Sequence, residues 1–431
     1  MPRRKCSKKR EQVARASKCI VVPIELEQYK TVVTDPARFR ECLDEMVATY
    51  PELFPAQIAA GYTLPDRRGS IKLAEIELRR IKLQADASPV YTIAPSGVMP
   101  YMTGYTDEVE KALFLRRFGV PFWGLAYVFG RDDQYWYRLC AHFGRYDIVQ
   151  TTVKAPEVLP VHLLADEKHV RFNGEKGYIA TTVGADCVLG ASFALGADGD
   201  SLTAAYQDFQ QEAQRLDPQY APQTVNTDGW APTQNAWRRL FPLVTIIECF
   251  LHAFIKIRSC CKKRLGATYT EICERVWDAY HATNPATFRE QLDDLHDWAQ
   301  RAVSGTALAA INKLCAKADI FVLAFDYPQA YRTSNMIDRH MQPMARWLAS
   351  TRFFQGHWVS AQHQVRTWAL FHNFWPYCPR AKISKRFRSP AHRLNGLVYH
   401  SNWLHNLRVS TSLAGARLLP QTPAELGKRE T

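Results

Sequence analysis

Apolar residues along the chain recur in two periods, and the places where the period changes divide it. From Asp35 to about Ala60, residues Phe39, Cys42, Leu43, Met46 and Tyr50 recur at helical spacing. LPDRRGSIK then makes a polar turn, and Leu73–Leu83 alternates Ile and Leu with Arg and Lys, which admits a strand or a short helix. Thr106–Gly144 predicts three short helices. The first is capped by Thr106 or Asp107 and runs through Phe118, with Val109, Leu113 and Phe118 towards a core and Arg116 and Arg117 outward, and Gly119 ends it. Pro121 opens the second, PFWGLAYVF, since proline suits a first turn. Gly130-Arg131 makes a tight turn, and Asp132 caps the third, DQYWYRLCAHF. Residues 145–160, with Thr151, Thr152, Lys154, Pro156 and Pro160, read as a linker and a domain boundary.

The period then shortens. Val161–Val170 reads as a strand ending near Asp166. Gly177–Ala185 and Cys187–Leu195 are two further β-rich runs, joined so tightly at Ala185-Asp186 that they predict an antiparallel hairpin. Asp200-Ser201 caps a helix over Leu202–Leu216, and Pro218 and Pro222 stop it. A short strand, Thr224-Val225, runs out to Asp228, and a helix over Thr233–Phe241 follows. Leu243–Ile247 is a buried strand leading into a helix that ends in Lys262, Lys263 and Arg264. Residues 268–318 are helical throughout, with no strand pattern, and read as an insertion. Thr333-Ser334-Asn335 starts a helix carrying Met336, Ile337, Asp338, Met341, Met344 and Trp347, with Pro343 placed to kink it. A helix over 355–376, the basic loop PRAKISKRFR (379–388) and a last helix over Asn402–Leu413 complete the pattern. The order strand, strand, strand, helix, strand is that of an α/β ribonuclease H-like core, here with a helical insertion.

Charge narrows the choice of partner. The formal net charge is +13, which points to a polyanion, most simply nucleic acid. Eight Lys or Arg fall within about the first 20 residues, which is either a solvated tail or an arm lying along phosphates. Eleven cysteines include no Cys-x-x-Cys pair, so free thiols in a reducing compartment are expected rather than a disulfide scaffold or a zinc ribbon. No secretory signal and no apolar run of about 18 residues are found, which points to a cytoplasmic protein with no membrane partner.

Chemistry enters through three acids. Phosphodiester cleavage and transfer suit a divalent metal pair held by carboxylates, and Mg²⁺ takes hard oxygen ligands while keeping several waters. In a ribonuclease H-like core the acids sit on the first strand, at the end of the fourth and on a later helix. Asp166, Asp228 and Asp338 occupy those places. An Asp-Gly after a strand is by itself usually a plain turn, so Asp228 draws its meaning from the other two. Asp338 is the only Asp or Glu between Tyr327 and Ala424, although its place early in a helix is also one that the helix dipole favours for any acid. Asp186 and Glu167 compete for the first position. Asp186 leaves only one strand before the helix, and Glu167 alternates to the opposite face of its strand. Cys249 and His252 form a Cys-x-x-His with no partner pair at zinc spacing, so a structural role near the site is the better reading. The three helices of 105–150 have the pattern of a helix-turn-helix, whose recognition helix would offer Gln134, Tyr135, Tyr137 and Arg138 to DNA, although ordinary packed helices share that pattern.

LLADEKHV, TVNTDGW, ECFLH and RTSNMIDR, in this order and spacing over roughly residues 105–410, resemble bacterial insertion-sequence transposases of the DDE/DDD type. The Cys-x-x-His and the insertion before the third acid are similar to the mutator type, and SPAHRLNG (389–396) resembles a C-terminal segment common among such enzymes. The resemblance implies an enzyme that uses Mg²⁺ or Mn²⁺, binds terminal inverted repeats as an oligomer, and joins freed 3′-hydroxyl ends to target DNA. Asp166, Asp228 and Asp338 would be the catalytic metal ligands, and Arg339, Arg346 and the basic segments would contact phosphates. The third acid of the family is usually Glu, and Asp338 is one methylene shorter. The organisation expected is a basic tail (1–30), an N-terminal region without assigned role (31–104), a helix-turn-helix module (105–150), the core in two parts (160–265 and 331–410) and the helical insertion (266–330). A nuclease on the same core without strand transfer, or an inactive DNA-binding relative, are the alternatives.

Overall fold

Two mixed α/β units emerge in a computed structural model, which describes residues 18–84, 89–261, 266–350 and 354–415. Most of the basic N-terminal tail, and the Lys262-Lys263-Arg264 end expected for a helix, lie outside the described residues. One unit takes the chain up to Glu108 and again from Tyr399, and the other is Val109–Val398.

The first unit opens with β1 (Cys19–Val22), α1 (Leu26–Val32) and α2 (Pro36–Thr49). Asp35 caps α2, accepting from Ala37 N at 2.9 Å and Arg38 N at 3.2 Å, with Pro36 in the first turn as its fixed φ favours. Next come β2 (Tyr62–Thr63), β3 (Arg67–Ser70), β4 (Leu73–Leu83) and β5 (Val90–Pro95). The sheet order is β1-β5-β4-β2, with β3 also on β4 and only β1–β5 parallel. Leu73–Leu83 is therefore a strand, because partners on both edges take its backbone while Ile76, Ile81 and Leu83 enter the core.

The second unit begins within α3 (Thr106–Leu115), followed by α4 (Phe122–Phe129), α5 (Asp133–Phe143) and α6 (Ile148–Thr152). Asp132 caps α5 through Tyr135 N. Arg116 departs from the outward position expected of it. It is fully buried, its guanidinium 4.3 Å from both the Phe122 and Trp347 rings, and it donates to Val120 O and, at 2.9 Å, to Ser350 Oγ. Arg117 donates to Pro376 O, and Phe118, expected inside, is 53% exposed. The cause is local: Arg116–Phe118 tightens into a 3₁₀ turn, which turns these side chains away from the α-helical register. Residues 145–160 are no linker either. α6 is buried along its whole length, with Asp147 accepting from Gln150 N and the Glu212 carboxylate accepting from Ile148 N and Val149 N.

The second sheet follows: β6 (His162–Phe172), β7 (Glu175–Gly184) and β8 (Cys187–Ala194), then α7 (Gly199–Leu216), β9 (Thr224–Thr227), α8 (Ala231–Leu240) and β10 (Thr245–Glu248). Its order is β10-β9-β6-β7-β8, with β6–β7–β8 antiparallel and β6–β9–β10 parallel. Ala185 and Asp186 both take positive φ (49° and 70°), the geometry a two-residue hairpin needs. One sheet face packs on α7 and α8 through Leu163, Ala165, Phe209 and Trp237. A helical body of α9 (Phe250–Cys261), α10 (Gly266–His281), α11 (Pro285–Ala302), α12 (Gly305–Cys315) and α13 (Ala318–Val322) holds its own core around Phe250, Phe288 and Ile311, in line with the helical reading of 268–318. α14 (Asn335–Ala349), α15 (Trp358–Phe374) and α16 (Pro390–Asn395) close the unit, and α14 continues through Pro343. α17 (Trp403–Ser410) and the turn after it complete the first unit, where Ser412 Oγ donates to Leu53 O at 2.7 Å. All ten cysteines among the described residues are free thiols, and no helix there is long and apolar enough to cross a membrane.

Candidate functional site

The parallel pairing of β6 with β9 sets the site. Leu164 pairs with Asn226, and two residues further along both chains stand Asp166 and Asp228. Side chains two apart share a face, so both acids lie on the face away from α7 and α8. β9 ends at Thr227, and Asp228 begins the turn, its Oδ1 accepting from Trp230 N at 2.8 Å. Gly229 takes φ +87°, and a Cβ there would meet Glu248 Oε2 at 3.1 Å, so the turn needs glycine. β6 runs through Asp166 instead of stopping at it, because β7 continues to pair with it as far as Phe172. Asp338 stands in the first turn of α14. All three acids are half-buried.

The other two acids act on Asp166. Burial pushes the Asp166 carboxyl up to about 6, against a backbone hydrogen bond from Glu167 N, and the charges of Asp228 and Asp338 push it further up while His252 opposes. Carboxylates supply the hard oxygens that Mg²⁺ and Mn²⁺ accept. Among the described residues, however, no group of three or more His, Cys, Asp or Glu is arranged to hold a metal ion.

Ser334 ties the third acid to the Cys-x-x-His pair. Its hydroxyl donates to Asp338 Oδ2 at 3.0 Å, accepts from Cys249 Sγ at 3.3 Å and lies 3.3 Å from His252 Nδ1, while its N–H donates to Cys249 Sγ at 3.1 Å. One donor and two acceptor sites on a hydroxyl account for all three contacts. The hydrogen bond with Cys249 raises His252 to about 9, more than burial lowers it, and the charges of Asp338 and Asp228 add to the rise. Burial would raise the Cys249 thiol, but hydrogen bonds from His252 and Ser334 hold it below its ordinary value. Cys249 and His252 thus support the site. Ser334→Ala is expected to lower the rate of any reaction at Asp338 about 10–100-fold and to raise the Mg²⁺ concentration needed for half-maximal rate, with Ser334→Thr restoring most of both in a metal titration.

The two rejected candidates for the first acid are engaged elsewhere. Asp186, at the tip of the β7–β8 hairpin, accepts from Tyr377 OH at 2.7 Å and lies 3.4 Å from His340 Nε2. Burial would raise it, but these partners bring it down to about 2. Glu167 points to the opposite face, where Tyr206 OH and Thr233 Oγ1 both donate to its Oε1 at 2.7 Å. Burial outweighs those bonds and pushes it up to about 7 from an ordinary 4.5. A carboxyl raised in the folded state costs stability as pH climbs from its unfolded to its folded value, here from about 4.5 to about 7. Urea unfolding at pH 5 and pH 8 is expected to show that loss in the wild type, about 2–3 kcal/mol greater than in Glu167→Gln.

The candidate DNA contacts lie on α5 and α14. On α5, Gln134 and Arg138 are exposed, but Tyr135 and Tyr137 are half-buried, with their rings against Trp136 and Phe122 at 5.0 and 5.6 Å. α5 packs on α15, where Thr367 Oγ1 donates to Cys140 O at 2.6 Å. Arg339 and Arg346 are exposed on α14. Two side chains escape the sequence reading. Ser334 is visible there only as part of a helix start. Glu248, in register with Thr227 at the end of β10, is buried against Gly229 and receives Lys317 Nζ, and only tertiary pairing shows it. No protein-family model matches the chain, and comparison with curated proteins finds no match.

Proposed function

We propose that Val109–Val398 is a ribonuclease H-like polynucleotidyl transferase and that the protein is a DNA transposase of the insertion-sequence type. The observation that carries the reading is the convergence of Asp166, Asp228 and Asp338, from two adjacent parallel strands and the first turn of a helix, closely enough to alter the proton affinity of Asp166. The strand order β8-β7-β6-β9-β10 around them, with the helical body between the second and third acids, supports it.

In this reading the three carboxylates would hold Mg²⁺ or Mn²⁺, which when bound activates the attacking oxygen and steadies the leaving one. The residues of the chain supply position. The β6–β9 pairing fixes two carboxylates rigidly, and Ser334 orients the third. Asp338 is shorter than the family's Glu, and α14, which carries it, packs against β6, which carries Asp166. The DNA partners would be terminal inverted repeats and target DNA, engaged by a homo-oligomer, with Gln134, Arg138, Arg339 and Arg346 as exposed contacts and α3–α5 as the helix-turn-helix.

The test is a Mg²⁺ assay on duplexes taken from the DNA flanking the reading frame. Cleavage at the ends with joined products supports the transposase. Cleavage without joining replaces it with the nuclease reading, and no metal-dependent cleavage overturns the enzyme altogether.

A further inference from the structure

The end of β10 reaches the supports of both the second and the third acid. Glu248, its last residue, is in register with Thr227 and buried, and the next residue, Cys249, donates its N–H to Thr227 O at 2.7 Å. Cys249 Sγ bonds Ser334 Oγ, which in turn holds Asp338. The Glu248 carboxylate goes instead to the turn after Asp228. A Cβ on Gly229 would meet its Oε2 at 3.1 Å, so that oxygen lies on the backbone next to Asp228. Gln234 Nε2 donates both to Glu248 Oε1 and to Thr227 Oγ1 at 3.4 Å, which ties the carboxylate to the end of β9 and the first turn of α8.

Lys317 completes the arrangement, its ammonium donating to Glu248 Oε2. It stands between α12 and α13, with its N–H on Leu314 O at 3.1 Å and its carbonyl accepting from Ile320 N at 3.0 Å and Phe321 N at 3.2 Å. Leu314 and Phe321 belong to the core of the helical body, so the ammonium is delivered from a rigid mount. An exposed ion pair contributes little, since water screens it and its side chains stay free. Here Glu248 is only 8% exposed, and its carboxylate cannot leave Gly229 without giving up Lys317 and Gln234 together. Taking Lys317 away would leave a buried charge without its partner, and the carboxylate would turn from Gly229 towards water. Asp228 would then lose the fixed turn in which its Oδ1 accepts from Trp230 N at 2.8 Å.

We infer that Glu248 is a positioning residue for Asp228 and that Lys317 braces it against the helical body, so that this body sets the geometry of the second acid. The effect on rate rests on the proposed function, and the hold on the turn does not.

The experiment uses the full chain as wild type, Lys317→Met, Lys317→Arg, Glu248→Gln and Glu248→Gln/Lys317→Met. In Lys317→Met, kcat for Mg²⁺-dependent cleavage of a duplex from the flanking DNA should fall about 10–100-fold with KM within about twofold, and Lys317→Arg should restore most of the rate. The double variant should lose no more than the worse single variant, because two residues acting through one bond do not lose it twice. The second readout needs no activity. In the metal-free protein the Trp230 amide should undergo hydrogen exchange at least about tenfold faster in Lys317→Met than in the wild type, with protection regained in Lys317→Arg. Both are measured well below the melting temperature of each variant, and Lys317→Gln, which keeps an N–H donor for Glu248, replaces Lys317→Met where the latter is unfolded at the assay temperature. Unchanged Trp230 exchange overturns the inference whatever happens to kcat or to the melting temperature. So does faster exchange with an unchanged kcat in an active protein, or a double variant in which the two single losses multiply. A wild type without metal-dependent cleavage sinks the proposed function, and Trp230 exchange then decides by itself whether Lys317 holds the turn.

Discussion

Asp228→Ala and Asp338→Ala should each abolish Mg²⁺-dependent cleavage and joining, a loss of at least about a thousand-fold, or about 4 kcal/mol of transition-state stabilisation. Duplex binding and melting temperature should stay within error of the wild type, because both side chains are half-buried at the site and neither sits in a hydrophobic core. The two variants also carry a readout that does not depend on activity. Asp228 and Asp338 both raise the Asp166 carboxyl, so removing either should lower its titration midpoint from about 6 in a carboxylate NMR titration of the metal-free protein. An unmoved midpoint would show that the acids do not share one site. Normal joining by either variant would sink the assignment of the catalytic acids.

The second large effect concerns the edge of the sheet in Val109–Val398. β8 ends the order β10-β9-β6-β7-β8, and an edge strand leaves a row of unpaired N–H and C=O groups. α15 lies against that edge, and two of its amides act as strand partners. Asn373 Oδ1 accepts from Val188 N and Asn373 Nδ2 donates to Val188 O, both at 2.8 Å, with a further bond to Thr152 Oγ1 at 2.9 Å. Eleven residues earlier, Gln362 Oε1 accepts from Phe193 N at 2.8 Å. Asn373 is fully buried, so Asn373→Leu would strand a backbone donor and an acceptor out of reach of water. Each unsatisfied group costs about 1–3 kcal/mol, and the variant should therefore lose about 3–5 kcal/mol in urea unfolding. A loss under about 1 kcal/mol would mean that water reaches Val188.

Alternating and helical periods placed nearly every strand and helix of Val109–Val398, because both faces of its sheet are covered and its apolar positions answer directly to burial. Asp228 and Asp338 were legible for the same reason, since each stands at a strand or helix end that the period itself marks, whereas Asp166 lies inside β6, which runs on to Phe172. Arg116 misled because a charged residue carries the pattern of a surface position. Here a 3₁₀ turn aims it at the nearby Phe122 ring and Val120 carbonyl, and the Trp347 ring, from far along the chain, closes over it. The stretch 145–160 misled because Thr and Pro read as loop, whereas a carboxylate more than sixty residues away, Glu212, caps the buried α6.

The sequence by itself determined the α/β character, the helical run over 268–318 and the choice of three candidate acids, since these depend on short-range period and on residue type. Tertiary structure alone decided which groups meet. Pairing of β6 with β9 put Asp166 beside Asp228, Ser334 joined Asp338 to Cys249 and His252, and Asn373 finished an edge strand. Those outcomes depend on strand register and on hydrogen bonds across tens to hundreds of residues, which leave no trace in the local pattern of the chain.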